Sequence, residues 1–176
     1  MIKAVKIILM IILLTIPVYA ADTAVAKDGT LQVNIPAGWN KEDASGTDVD
    51  LIIKNPVKFK NFYPNLNIVI TRFPDAPGGD APSSVLEDMV KNGQEKIKKS
   101  FPDAVYKNEK DLTVAGKNAK SFEGLFIGGK HRCHIKIYCF WKDKTIYVIT
   151  GTTVVGNFAT SEPVFDGIVN SIKFLK

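Results

Sequence analysis

The stretch that decides the fold is KHRCHIKIYCFWKDKTIYVITGTT, residues 130–153, which predicts two strands joined by a tight turn at Lys142-Asp143-Lys144. Successive side chains of a strand point to opposite faces of its sheet. In the first strand one face carries an apolar set, namely Cys133, Ile135, Ile137, Cys139 and Trp141. The other face carries a basic set, namely Arg132, His134, Lys136 and Lys142. The alternation predicts one buried face and one wetter face.

The second strand, 145–153, contains a near-continuous apolar run from Ile146 to Ile149. An unbroken apolar run is typical of a strand that is covered on both faces. We therefore expect this strand to lie near the middle of the sheet.

The other segments can be placed as cover for this pair. Alternation and turn signals predict further strands over 30–35, 49–54, 66–73, 105–114 and 118–127. Apolar residues at helical spacing predict one helix over 83–100, capped by Asp80 or Ser83, and a final helix from a Ser161 cap through Ser171. The element order favours an α+β fold, a three-layer α-β-α sandwich around a mostly antiparallel sheet with two main helices.

Length and composition favour one domain. The chain has 176 residues, of which 45% are hydrophobic and 23% charged, and this balance is ordinary for globular proteins. A domain of this size buries about two-thirds of its unfolded surface. It needs neither a metal nor a disulfide to fold.

The first twenty residues have the pattern of a secretory signal peptide. Lys3 and Lys6 precede an apolar run from Ile7 to Ile16, and Val18-Tyr19-Ala20 fits cleavage after Ala20. The apolar run is short for a membrane span, which needs about 20 residues, so an uncleaved anchor is the alternative. We expect a signal peptide over 1–20, a flexible leader over 21–29 and a single domain over 30–176. The mature chain is then periplasmic or secreted, without a stable membrane span.

Removal of residues 1–20 lowers the formal charge from +5 to +3, because only Lys3 and Lys6 are lost. A small positive balance without a dense basic cluster argues against a nucleic-acid partner for an exported protein.

The two cysteines, Cys133 and Cys139, lie six residues apart in one predicted strand. At about 3.3 Å per residue they are about 20 Å apart, whereas a disulfide requires Cα atoms within about 7 Å. We expect two reduced, buried thiols; an intermolecular bond is the alternative.

A series of modest motifs resembles a known family. The signal peptide is followed by IPAGW (35–39), a strand NLNIVITRF (65–73), LTVAGKNAKSFEG (112–124), an aromatic strand IYVITGTT (146–153) and a closing helix FDGIVNSIKF (165–174). Their order resembles the PsbP-like superfamily, in particular bacterial exported proteins similar to DcrB. The resemblance implies an α-β-α sandwich and a tendency to bind other proteins rather than to catalyse. Relatives include an extrinsic photosystem subunit, a Ran-binding import factor and phage-susceptibility proteins. It carries no common site motif, and fold alone does not give function.

The sequence contains few residues that could form a metal site or a catalytic site. His131, Cys133, His134 and Cys139 are ligand types for zinc or copper, but only His131 and Cys133 are neighbours on one strand face, and the chain has no third histidine. A nucleophile needs an adjacent base, and no G-x-S-x-G elbow is present. We expect no catalytic residues, no cofactor and no metal.

Two segments are candidates for a partner surface. One is the basic strand face with Arg132, His134 and Lys136, for which a solvated face is the plainer interpretation. The other is a loop with interleaved bases and aromatics, namely Lys58, Phe59, Lys60, Phe62 and Tyr63. Its plainer interpretation is a loop whose Phe side chains pack into the core. Exposed aromatics with Lys or Arg are common at interfaces.

The function that follows is an exported, non-catalytic binding or accessory protein of the bacterial cell envelope, whose partner is another envelope protein. The alternative is a periplasmic protein that binds a small ligand or a metal, with a pocket near His131 and Cys133.

Overall fold

The computed structural model describes residues 20–76 and 78–175. The predicted signal peptide therefore lies outside the described residues, except for its last residue. Ten strands follow in chain order: β1 (Ala20–Val25), β2 (Leu31–Pro36), β3 (Asn40–Glu42), β4 (Leu51–Lys54), β5 (Asn65–Arg72), β6 (Val105–Val114), β7 (Lys117–Gly128), β8 (His131–Lys142), β9 (Thr145–Val154) and β10 (Lys173–Phe174). Two α-helices are α1 (Ser83–Ser100) and α2 (Phe158–Asn170), and a 3-10 turn (Val155–Asn157) leads into α2.

Seven strands form the main sheet, in the order β3-β4-β5-β9-β8-β7-β6, with every neighbouring pair antiparallel. Strands β8 and β9 pair from Cys133↔Val154 to Lys142↔Thr145. Their turn places Asp143 and Lys144 at φ of 45° and 63°. Positive φ at both central residues is the feature of two-residue hairpin loops that match strand twist. β9 is the fourth of the seven strands, so the predicted central position is confirmed.

Helix α1 covers one face of the main sheet. Its buried Val90 packs with Phe122 of β7 and with the odd-numbered β8 residues from Cys133 to Cys139. The helix bounds match the prediction, but the predicted cap is wrong. Pro82 occupies the N-cap position without a side-chain hydrogen bond, because the Asp80 carboxylate pairs instead with the Lys117 ammonium, 2.8 Å away.

The opposite face is covered by α2 together with a second, smaller sheet. Phe165 and Ile168 of α2 pack with Leu31 and Val33 of β2 and with Tyr138 and Phe140 of β8. The small sheet has the order β1-β2-β10, and both pairs are antiparallel. The α+β sandwich with two main helices is therefore confirmed. The third layer is part helix and part sheet because β2 and α2 share one apolar cluster.

The expected flexible leader is largely wrong, since residues 20–25 form β1 and pair with β2. Ala24 and Ala26 are buried there, and such small side chains carried too weak an alternation to predict a strand.

The final helix also differs from the prediction. It begins at Phe158, three residues earlier than the predicted cap. The Ser161 hydroxyl instead accepts a hydrogen bond from Asn157 Nδ2 inside the first turns. The helix stops at Asn170, and Lys173–Phe174 form β10 against β2.

None of the helices within 20–76 and 78–175 is long and apolar enough to cross a membrane.

A candidate partner surface at one end of the sheet

His134 does not lie on a wetter face. It is 5% exposed, and its ring stacks on Phe158 at the start of α2, with centroids 3.4 Å apart and planes 13° apart. Its Nε2 is 2.7 Å from Oε2 of Glu123 on β7. The expectation that this residue faces a partner is wrong, because α2 folds back over the basic face of β8.

The Glu123 carboxylate is held from three sides. Asn108 Nδ2 donates to its Oε1 (2.8 Å), and the Lys107 ammonium is 3.6 Å from its Oε2. Burial opposes its ionisation, but these donors and His134 outweigh burial and lower the pKa of Glu123. Burial lowers the pKa of His134, although Glu123 acts in the other direction. The cluster therefore favours a neutral imidazole that donates to a carboxylate.

Lys136 anchors α2 to the sheet. Its ammonium lies 2.8 Å from Glu162 Oε1 and 2.8 Å from Asp166 Oδ1, one helical turn apart on α2. Tyr138, two residues further along β8, hydrogen-bonds the same Asp166 carboxylate. Burial opposes the charge of Lys136, but the two carboxylates more than compensate and raise its pKa. Lys136 therefore serves the fold, and its partners lie 26 and 30 residues away in sequence.

Both cysteines are free and buried, as expected. They lie in the apolar cluster beneath α1 that also contains Val90 and Phe122, which we call the α1-face cluster. Burial raises the pKa of Cys133, and it raises the pKa of Cys139 to about 11. The His131 ring packs edge-on against Phe62, with centroids 5.8 Å apart. Within the described part of the chain no three His, Cys, Asp or Glu side chains converge in a way that could hold a metal ion.

The basic aromatic loop forms a small hairpin of its own. Phe59 and Phe62 exchange backbone hydrogen bonds of 2.8 and 3.0 Å around Lys60 and Asn61, both at positive φ. Phe62 packs partly into the α1-face cluster, so the plainer interpretation holds for this side chain. Lys58 and Lys60 are exposed.

Tyr63 also belongs to this loop and is 37% exposed. Its ring lies 4.6 Å from the ammonium of Lys54 and 5.0 Å from that of Lys58. Such cation–π contacts hold the ring in place, and part of the side chain stays accessible.

Register places both candidate segments at the same end of the main sheet. Lys54 of β4 pairs with Asn65 of β5, and Thr152 of β9 also pairs with Asn65. Val154, the last residue of β9, pairs with Cys133 of β8, which lies close to the β7–β8 turn. The stacked rings of Phe101 and Phe126, 4.1 Å apart, bring the carboxyl end of α1 to this end as well.

We call this region the basic end. Its exposed large apolar residues are Val57, Tyr63, Val105, Ile127 and Val155. Its exposed cations are Lys58, Lys60, Lys98, Lys99, Lys130 and Arg132. None of these cations forms an ion pair with another residue that the structure describes. The sequence indicated the loop and Arg132, but it missed Val105 and Ile127, whose exposure depends on where α2 begins.

A cavity of about 340 Å³ lies beside Arg132. Its lining residues are Asp103, Val105, Leu125, Phe126, Ile127 and Arg132. The walls are mainly hydrocarbon, with one guanidinium and one carboxylate at the rim. This arrangement can hold an apolar group beside a charged one.

These features define an α+β fold in which an antiparallel sheet has α1 on one face, α2 with the small sheet on the other, and an open end. No family model matches the sequence, and no curated protein matches it. Solved structures do. Cyanobacterial PsbP (CyanoP) from Synechocystis sp. PCC 6803 superposes with a TM-score of 0.66 at 14% identity, over 88% of this chain and 92% of that chain.

LpqN of Mycobacterium tuberculosis, which is involved in cell envelope biogenesis, superposes with a TM-score of 0.63 at 12% identity, over 83% of each chain. PA94 of Pseudomonas aeruginosa, a protein of unknown function, gives 0.55 at 20% identity, over 80% of this chain and 88% of that chain. At these identities the similarity establishes the fold alone.

Proposed function

We propose that this chain is an exported, non-catalytic accessory protein of the bacterial cell envelope, similar to DcrB, that binds another envelope protein through its basic end. The observation that carries the proposal is the coincidence, at one end of the sheet, of exposed aliphatic side chains with cations that lack an ion-pair partner among the described residues. The partner surface is expected to be acidic with apolar residues among its charges.

Physical reasons support a protein partner. Exposed apolar side chains that cluster, rather than scatter, mark interaction sites on soluble proteins. Tyr and Arg are enriched at protein interfaces, and a field of one sign accelerates association with a complementary surface. Tyr63 and Arg132 are both present at the basic end and both exposed.

A non-catalytic role is supported by where the reactive side chains lie. The His134 ring is covered by Phe158, and burial raises the pKa of both thiols, which lowers the fraction of reactive thiolate. Export is supported by the signal pattern of residues 1–20. A role in the envelope is supported by the shared fold with LpqN.

The test compares two triple variants with equal net charge. One removes cations of the basic end (Lys58→Gln, Lys60→Gln, Lys130→Gln), and the control removes exposed cations elsewhere (Lys91→Gln, Lys110→Gln, Lys173→Gln). Residues 21–176 of each chain are immobilised and incubated with a detergent extract of envelope, and retained proteins are quantified by mass spectrometry.

We expect one protein, or a few, to be retained by the wild type and the control triple and to fall at least tenfold on the basic-end triple. Retention should also weaken as salt rises, because exposed charges are screened. Equal loss of protein retention on both triples would contradict the proposal. It would also be contradicted if no envelope protein were retained and the chain bound phosphatidylglycerol vesicles instead. The small-ligand alternative would be favoured by a ligand-dependent rise in melting temperature across common anions and divalent metals.

A further inference from the structure

The cavity beside Arg132 lies where the α2 layer stops short of the sheet end. Phe158, the first residue of α2, covers His134. The next residues toward the end on the same sheet face are Ile127 and Arg132, which pair across β7 and β8. Ile127 is 58% exposed, and Val105 beside it on β6 is 62% exposed. The sheet therefore presents a hydrocarbon surface that no element among the described residues covers.

The charges at the rim are not equivalent. The Asp103 carboxylate already accepts a hydrogen bond from the Ile127 backbone N–H at 2.7 Å, which fixes it at the wall of the cavity. The Arg132 guanidinium forms no ion pair with any residue that the structure describes. Its five donors are free to hold a carboxylate, and the guanidinium geometry suits two parallel hydrogen bonds.

The edge strand beside the cavity does not favour addition of a partner strand. β6 is the last strand of the main sheet, but its register shifts between Lys107 and Lys110, and Asn108 has φ of 54°. Bulges and exposed lysines on an edge strand are devices that prevent strand pairing. A partner therefore engages this region with side chains rather than with an added strand.

We propose that the cavity receives one large apolar side chain of the protein partner, and that Arg132 pairs with an Asp or Glu within two residues of that side chain. The inference rests on the proposed function and names the element of the partner that this end recognises. A cavity of about 340 Å³ is at the lower end of the range for binding pockets, about 300–1,000 Å³. A buried apolar anchor next to an Arg contact is the usual composition of an interface hot spot.

The probe is a phage-displayed library of random twelve-residue linear peptides, selected on residues 21–176. Enriched peptides are synthesised with a fluorophore, and their dissociation constants are measured by fluorescence anisotropy. The variants are Ile127→Thr, which keeps a β-branched strand residue, and Arg132→Gln, which keeps the length of the side chain. Lys91→Gln is the matched control, because Lys91 is an exposed cation outside the basic end that does not line the cavity.

We expect the enriched peptides to share a large apolar residue with an acid within two positions. Ile127→Thr and Arg132→Gln should each weaken binding about tenfold, whereas Lys91→Gln should change it less than threefold. Replacement of the peptide acid by its amide should weaken binding to the wild type about tenfold. The same replacement should hardly change binding to Arg132→Gln, which is the double-mutant signature of a direct contact.

Failure to enrich peptides, enrichment without acids, or binding indifferent to both cavity variants would overturn the inference. If the envelope protein is retained through the basic end but ignores Ile127→Thr and Arg132→Gln, the inference fails and the proposed function stands. If peptides bind at the cavity but no envelope protein depends on the basic end, the proposed function fails instead.

Discussion

The imidazole of His134 lies flat against the ring of Phe158, with centroids 3.4 Å apart, at the point where α2 begins. This contact closes the sheet face over a histidine and its Glu123 partner, with Nε2 and Oε2 2.7 Å apart. An ionisable side chain is thereby buried between two layers of the fold, and its protonation is linked to the stability of the whole domain.

Stability is expected to fall as the pH is lowered from 7.5 to 5. The pKa of His134 is below its usual value of 6.5 in the folded chain, chiefly because of burial. The unfolded chain therefore binds a proton first, and stability present above pH 6.5 is lost as the pH falls toward the folded pKa. Each unit of lowering corresponds to about 1.4 kcal/mol. Urea unfolding at a series of pH values between 7.5 and 5 measures this change in the free energy of unfolding.

The control for this experiment is the other histidine. His134→Gln should flatten the pH dependence between 7.5 and 5, whereas His131→Gln should keep it. The pKa of Glu123 is also lowered, but from 4.5, so its contribution is lost only at lower pH. A fall that persists in His134→Gln would show that another group is responsible.

Two glycines should respond oppositely to the same substitution. A Cβ at Gly151 would lie 2.5 Å from ring atoms of the fully buried Phe165, so Gly151→Ala should destabilise the fold by about 1–3 kcal/mol through overpacking. A Cβ at Gly167 in α2 meets nothing within 4 Å, so Gly167→Ala should stabilise by about 0.5–1 kcal/mol. Urea midpoints at pH 7.5 test both, and similar values for the two variants would contradict the packing of α2 on β9.

Removal of the Lys136 charge should loosen α2. In Lys136→Met, the Glu162 and Asp166 carboxylates lose a shared cation at 2.8 Å, and we expect a loss of about 2 kcal/mol, between the values for exposed and buried pairs. Adding Glu162→Gln and Asp166→Asn should recover part of that loss, because repulsion between the two carboxylates disappears. Thermal unfolding of the single and triple variants measures the recovery, and a triple variant less stable than Lys136→Met would contradict this account.

The two thiols should be unreactive in the folded chain. Burial raises the pKa of Cys139 to about 11 and also that of Cys133, so little thiolate forms at pH 8. A colorimetric thiol reagent should modify neither cysteine in native protein within minutes and both in urea. A Ser100→Cys variant, exposed at the end of α1, provides the reactive control. Rapid native modification without Ser100→Cys would show that the α1-face cluster opens.

The main features of the fold could be predicted from local pattern. Residues 130–153 predicted the β8–β9 pair, because side chains of a strand alternate between two faces and this alternation can be recognised in the sequence. The bounds of α1 matched because its apolar stripe and following Pro102 are both local signals. β1 and β10 were missed because each depends on pairing with β2 rather than on its own alternation.

The candidate surface was only partly predictable. The loop with Lys58 and Tyr63 and the exposed Arg132 were identified from residue types. His134 and Lys136 looked equally basic in sequence, yet they lie beneath α2 with carboxylates as partners. Local alternation distinguishes two faces of a strand, but it does not state which face a distant helix will cover.

The sequence by itself therefore determined β2, the strands from β4 to β9, α1 and an antiparallel sheet, because these follow from local side-chain periods and turn signals. Only the tertiary structure decided which basic residues are sealed and which remain outside. That choice depends on where α2 begins. Phe158 covers His134, and the next residue pair of β7 and β8 on the same face, Ile127 and Arg132, is left at the open end of the sheet.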